Sequence, residues 1–369
     1  MNKKNISRLK IAIILGTRPE IIKFSPIIRT CLKQNIDFFI LHTNQHYAYF
    51  LDKLFFDELN LPQPKYNLNI GSGSHAKQSA EMIKKIEQIL LRENPSVVLV
   101  QGDTNTVLSG ALAAVKLQIK IGHVESGLRS YDRAMPEEIN RILTDHCCDF
   151  AFAPTPLARR ILIREGLCKK NIYITGNTIV DAVLQNIAVA QKKSKIIPKM
   201  GIKPEQFALL TCHRSENTND PKRLMDILKG VNQFAIKNNI EVIFPIHPRT
   251  AKTMSEKNIS CPDQIRMVEP VSFSDFLILE KSSKIIFTDS GGVQEEACIL
   301  KIPCVTLRNN TERPETIKVK ANIIAGTDPK KILSSAQKII SRSRNWTNPF
   351  GNGTAAQKIV AILQENNSR

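Results

Sequence analysis

Short apolar runs of four to eight residues alternate with longer stretches of helical periodicity along the whole chain. "KIAIIL" (10–15) precedes a helical stretch from Pro19 to about Gln34, and "IDFFILHT" (36–43) precedes one at about Tyr47–Leu59. "SVVLV" is followed by Thr104–Leu117, "IKIGHV" by a helix starting near Pro136, and "FAFAP" and "IYIT" by a helical segment each. Lys-rich "QKKSKIIPKMGIKPEQ" (191–206), with two prolines, breaks the rhythm and reads as a linker. The alternation then resumes, with "FALLTC", "EVIFPI", "QIRMVE", "KIIFTD", "IPCVTL" and "NIIAG" as strands and a last helix at about 354–364. Such β-α alternation specifies parallel, doubly wound sheets. At about 100–200 residues per domain, a chain of 369 residues makes two domains. Two similar halves imply a cleft between them, a common place for a ligand.

Composition narrows the function classes. No apolar stretch reaches the roughly 18 residues of a membrane span. "IAIIL" behind the basic start is shorter than a signal-peptide core of about 7–15 residues, so a cytoplasmic, membrane-free protein is expected. The eight cysteines include no C-x-x-C pair and sit mostly in apolar runs, as reduced thiols do. The formal charge of +18 raises the question of a nucleic-acid partner. The basic residues are dispersed, however, and one Trp and five Tyr offer few stacking platforms. The charge reads as solvated surface that also suits an anionic ligand such as a nucleotide diphosphate.

In open α/β sheets, ligands bind beyond the carboxyl ends of the strands. After the first strand, "GTRPEIIK" brings Gly16 for a tight turn, Pro19 for the first turn of a helix, and Arg18 and Lys23 beside that helix N-terminus. These cations resemble an anion site, although a plain strand–helix turn carries such residues too. "QGDTNT" places Asp103 past a strand, where an aspartate also serves as an N-cap. "GHVESGLRS" brings Glu125, and "MPEEINR" puts Glu137 and Glu138 at a helix start, where the dipole alone favours acids. Three carboxylates at neighbouring strand ends can supply a base and an acid for proton transfer at carbon.

In the second half, "LLTCHRSEN" sets His213, Arg214 and Glu216 past a strand, and "VIFPIHPRT" sets His247 and Arg249 past the next. A lone strand-end histidine is more often structural, but two paired with arginine offer phosphate donors. "IIFTDSGGVQEEA" holds Ser290, Gly291 and Gly292 between a strand and a helix, a backbone cradle for phosphate, followed by Glu295 and Glu296. "TLRNNTERPET" adds Arg308, Glu312 and Arg313. No phosphate loop of the G-x-x-x-x-G-K-[ST] type is present. "GSGSHA" (71–76) fits a dinucleotide G-x-G-x-x-A but is not the first β-α turn. His42 and His46 straddle a strand end with no third ligand nearby, so no metal site and no cofactor is expected.

With these segments assembled, the chain resembles the non-hydrolysing UDP-N-acetylglucosamine 2-epimerases. The likeness runs from "GTRPEIIKFSP" through "QGDTNT", "GHVESGLRS", "MPEEINR", "TCHRSEN" and "TDSGGVQEEA" to "TERPET" and "AGTD". It implies an α/β fold of two Rossmann-like domains with parallel sheets facing across a cleft, the glycosyltransferase type B fold. The first domain would span 1–186, with a C-terminal helix (353–369) packing back on it, and a UDP-binding domain would span 187–352. The resemblance implies Asp103, Glu125 and Glu137 as catalytic carboxylates, and His213 at the departing diphosphate. It implies Arg18 and Lys23 near the phosphates, His247 in substrate binding and Phe276 by the uracil. Ser290, Gly291 and Gly292 would hold phosphate, Glu296 the ribose, and Arg313 would complete the pocket. The implied reaction interconverts UDP-N-acetylglucosamine and UDP-N-acetylmannosamine through 2-acetamidoglucal, in a homodimer. Gln45 and His46 match part of an allosteric substrate site of bacterial members, while "NIGSGSHAKQSAEM" departs from their loop and Val271 stands where they commonly carry Gln. The competing readings are a 2-epimerase of UDP-2,3-diacetamido-glucuronate type and a glycosyltransferase on the same fold.

Overall fold

The computed structural model describes residues 9–44 and 55–367, apart from the side chain of Arg249. Gln45, His46 and most of the helical stretch expected at 47–59 lie outside the described residues, and residues 55–58 are helical. The chain divides into two compact units, residues 1–182 with 350–369, and residues 183–349.

The first unit carries a seven-stranded parallel sheet of β1 (Lys10–Leu15), β2 (Asp37–His42), β3 (Tyr66–Asn67), β4 (Val97–Gln101), β5 (Lys120–Val124), β6 (Phe150–Ala153) and β7 (Ile172–Ile174). Their order is β3-β2-β1-β4-β5-β6-β7. Five of six residues in β1 and all five in β4 are buried, as expected of strands covered by helices on both faces. The second unit repeats the plan with β8 (Phe207–Thr211), β9 (Glu241–Pro245), β10 (Ile265–Val268), β11 (Ile285–Thr288), β12 (Cys304–Thr306) and β13 (Asn322–Ile324). Their order is β10-β9-β8-β11-β12-β13. Side chains of β8 alternate between two cores. Ala208 and Leu210 join the cluster around Phe234 and Phe287, while Phe207 and Leu209 join the one around Ile243 and Ile278. Both sheets have the Rossmann order, so each has a switch point, between β1 and β4 and between β8 and β11, where strand ends open a crevice.

One expectation needs correction, and one helix was not expected. Residues 191–206 are not an open linker: 191–193 finish the helix Thr178–Lys193, and Ile196–Met200 forms another. Ile196 is buried in a core of the second unit, with Ile197, Met200 and Ile202 packed against it. The apolar residues of a Lys-rich segment found a hydrophobic face to cover. "GSGSHA" leads into the helix His75–Glu93, where Ser74 Oγ caps Lys77 N–H. The sequence reading passed over this helix, although Met82, Ile86, Ile89 and Leu90 form a buried helical stripe. Among the described residues, no helix is long and apolar enough to cross a membrane.

Candidate active site

In the first unit, four chain segments meet at the carboxyl ends of β1, β4 and β5. Thr17 and Glu20 form a capping box that starts the helix Arg18–Lys33. Glu20 accepts hydrogen bonds from Gly16 N–H (2.5 Å), Thr17 N–H (3.0 Å) and Thr104 Oγ (2.5 Å), so it ties the β1 end to the β4 end. Burial pushes its carboxyl up to about 7, against the lowering effect of these hydrogen bonds. Arg18 lies with its guanidinium 5.2 Å from the Phe55 ring centre. Lys23 points at Glu125, its Nζ 2.6 and 2.7 Å from the two carboxylate oxygens, so the expected anion-site lysine is ion-paired within the fold. Asn177 also donates to Glu125, at 2.8 Å. Glu125 itself sits at φ 69, in the left-handed region, and its Oε2 overlies Gly102, next to Asp103.

Asp103 is held by Arg141, whose Nε and Nη2 donate to Oδ2 at 2.9 and 2.6 Å, and its carbonyl accepts from Asn140 at 2.9 Å. Asn140 and Arg141 lie one turn into the helix Pro136–Cys147, whose first turn carries Glu137 and Glu138. Those two acids have different fates. Glu138 is buried, accepts from Ser130 N–H, Ser130 Oγ and Tyr131 N–H, and pairs with Arg141 at 2.6 Å. Glu137 is half-buried and makes no hydrogen bond or ion pair with the described residues. Asp103, Glu125 and Glu137 are thus brought to one end of one sheet, each in a different setting.

Sequence reasoning missed the support beneath them. His123 Nε2 donates to the Gly102 carbonyl (2.9 Å) while Nδ1 faces Asp145 Oδ1 (2.6 Å). Asp145 also receives Ser126 Oγ, Gly127 N–H and Arg129. Burial alone would raise Asp145, but His123, Arg129 and Ser126 more than offset it and hold the group at about 2. A signal was available, because an acid in the last turn of a helix opposes the dipole and needs a partner elsewhere.

In the second unit, Asp289 ends β11 and is fully buried. It accepts from the backbone N–H of His213 and Arg214 at 3.0–3.2 Å and from Asn217 Nδ2 at 3.1 Å, which shapes the turn after β8. His213 Nδ1 lies 3.4 Å from Asp289 Oδ1, with the side chain 44% exposed. Ser290 caps the helix Gly291–Leu300, and Thr288 Oγ accepts from Ser290 N–H at 2.9 Å. A Cβ on Gly291 would stand 3.5 Å from Glu312 Oε2 and 3.9 Å from the Arg313 Cζ, so a carboxylate and a guanidinium both flank this helix N-terminus. Glu295 holds Arg313 at 2.6 Å. Glu296, in the same helix, is 8% exposed. The first backbone N–H groups of a helix beside a guanidinium can receive an anion. His247 is exposed after β9, and Phe276 and Val271 are half-buried against the core containing Ile278. Arg308 is fully buried, with Glu312 at 2.8 and 3.0 Å and Glu216 at 3.3 Å, so it braces the loop instead of lining the cradle.

The family model for UDP-N-acetylglucosamine 2-epimerase matches residues 30–364. The chain belongs to that family. It is an epimerase with a glycosyltransferase type B class of fold. It is 53% identical to the UDP-N-acetylglucosamine 2-epimerase of Methanocaldococcus jannaschii, over 96% of this chain and 99% of that one. A crystal structure of the M. jannaschii enzyme in complex with UDP-GlcNAc and UDP superposes with a TM-score of 0.91, covering 97% of this chain and 100% of that chain at 53% identity. Identity falls to 37%, over 96% of this chain and 99% of the relative, with the UDP-2,3-diacetamido-2,3-dideoxy-D-glucuronate 2-epimerase of Pseudomonas aeruginosa.

Proposed function

We propose that this epimerase interconverts UDP-N-acetylglucosamine and UDP-N-acetylmannosamine by eliminating UDP and adding it back. The observation that carries the proposal is the gathering of Asp103, Glu125 and Glu137 at the carboxyl end of the first sheet, with Arg141 paired to Asp103 and Lys23 to Glu125. The proton on carbon 2 is weakly acidic, so removing it needs a leaving group. A base takes that proton as the bond from carbon 1 to the UDP oxygen breaks. The electron pair forms the carbon 1–carbon 2 double bond of 2-acetamidoglucal, and UDP leaves with its pair. Return of UDP to carbon 1, with a proton delivered to the other face of carbon 2, gives the epimer. This chemistry needs a base, an acid and stabilisation of the departing diphosphate.

The second unit supplies the binding side of the proposal. Ser290, Gly291, Gly292 and Arg313 hold the diphosphate, His213 donates to it as it departs, Glu296 holds the ribose and Phe276 packs by the uracil. Similarity to the M. jannaschii enzyme, with a structure in complex with UDP-GlcNAc and UDP, supports this reading.

The test is incubation with UDP-N-acetylglucosamine in deuterated water, followed by NMR. The expected result is deuterium at carbon 2 in both sugars and the appearance of UDP-N-acetylmannosamine. The absence of both exchange and a new sugar would overturn the proposal. Turnover of UDP-2,3-diacetamido-glucuronate instead would reassign the substrate to the sister branch.

A further inference from the structure

Glu280 lies in the helix Phe273–Ser282, which packs against the helix Gly291–Leu300 that bears Glu296. Its side chain is fully buried, and neither carboxyl oxygen receives a hydrogen bond from a donor among the described residues. The side chain that acts on Glu280 from that packed helix is the Glu296 carboxyl. The other titratable group facing Glu280 is the Cys304 thiol on β12, which burial keeps in its neutral form far above ordinary pH. An ionised carboxylate buried against another, with no donor, would cost several kcal/mol. Two carboxyl groups in contact are stable when one keeps its proton. Glu280 is wholly enclosed while Glu296 retains 8% exposure, so the proton belongs on Glu280. Burial, with the charge of Glu296, pushes the Glu280 carboxyl well above the usual range.

We propose that Glu280 is a positioning residue of the nucleotide half-site, a neutral carboxylic acid that donates its proton to the Glu296 carboxylate. That hydrogen bond fixes the rotation of the carboxylate that the ribose hydroxyls meet. The inference rests on the reading of Glu296 as the ribose-holding residue. The sequence held one hint, a carboxylate within "FLILEKS", in the second half of a helix where the dipole disfavours it.

The experiment measures UDP affinity by calorimetry and the infrared carbonyl stretch of a protonated carboxyl group, at about pH 9, where ordinary carboxylates are ionised. Loss of a hydrogen bond to a charged group should raise the UDP Kd of E280M about tenfold or more, with KM rising more than kcat falls. E280Q keeps a donor and should stay within about threefold of the parent Kd. The acid band should be present in the parent and missing from E280Q. Parent-like affinity in E280M, or an acid band that survives in E280Q, overturns the proposal. E296Q separates the two readings. If E296Q binds UDP weakly while E280M binds as the parent does, only the role of Glu280 falls. If E296Q itself binds as the parent does, the ribose assignment falls and takes the role of Glu280 with it. Should E280M fail to fold, the band in the parent and E280Q decides.

Discussion

The three carboxylates of the first unit differ in the partners that hold them. Asp103 faces the Arg141 guanidinium with two hydrogen bonds, and Glu125 faces Lys23 and Asn177. Glu137 has no such partner among the described residues and stands in the first turn of a helix. It is therefore the one that can turn to a substrate without breaking an ion pair. The E137Q variant should lower kcat by about 10²-fold or more while UDP affinity stays within about threefold, measured by turnover and calorimetry. Parent-like turnover removes Glu137 from the machinery. Glu20 gives a pH prediction. Its folded carboxyl titrates near 7 against 4.5 in an ordinary setting, so between those values the folded chain holds a proton that the unfolded chain has lost. Stability should then fall as pH rises through that window, by about 3 kcal/mol in all. E20Q should lack this fall, so the Tm of the parent relative to E20Q should drop between about pH 5 and about pH 8. A pH-independent difference would mean that Glu20 is already ionised in the fold.

Elements are shaped by side chains that take over backbone duties. Pro26 sits inside the helix Arg18–Lys33 and has no N–H to give the Ile22 carbonyl, and Ser25 Oγ donates there at 2.7 Å instead. The helix continues, and Glu20 and Lys23 keep their places. Gly16 is needed for a reason other than the tight turn expected of it, since its φ is outside the left-handed region. A Cβ there would lie 2.2 Å from Thr43 Oγ and 2.3 Å from Thr106 Oγ, which share a hydrogen bond of 2.8 Å. The close approach of β1, the β2 end and the helix Asn105–Lys116 leaves no room. G16A should cost about 1–3 kcal/mol, read as a lower urea midpoint at unchanged slope. A midpoint equal to the parent's would mean that the two threonines move aside freely.

At the scale of the whole molecule, the chain returns to the first unit at its end. Asp181 caps the helix Ala355–Asn367 by accepting from Ala355 and Ala356 N–H at 3.2 and 3.0 Å, and Asn177 N–H donates to the Phe350 carbonyl at 2.8 Å. Asp181 lies in the first unit, while the only tryptophan, Trp346, lies in the second, its indole N–H bonded to the Cys298 carbonyl. The variant D181A should weaken the first unit by about 1–2 kcal/mol. Urea unfolding followed by circular dichroism should show an earlier first transition, with the Trp346 fluorescence transition unmoved. Equal shifts in both signals would show that the two units unfold as one.

The alternation of apolar runs and helical stretches was enough to establish the α/β class, the strands of both sheets except the short edge strand β3, and the loops that carry chemistry. Those features depend on local period, which is written residue by residue. The motifs likewise pointed to Asp103, Glu125 and Glu137 as a group, because the carboxyl ends of parallel strands lie on one side of a sheet. The resemblance chose Glu137 over Glu138, and only the tertiary structure supplied a physical difference between them. The two are adjacent in sequence, and only Arg141 and the 130–131 turn decide that one is buried and engaged. It also turned part of a presumed linker into a core helix, joined His123 to Asp145, and enclosed Glu280 against Glu296. In each case the deciding partner is distant in sequence or supplied by packing, and the energy of a buried charge depends on that partner and on solvent access, neither of which a linear pattern records.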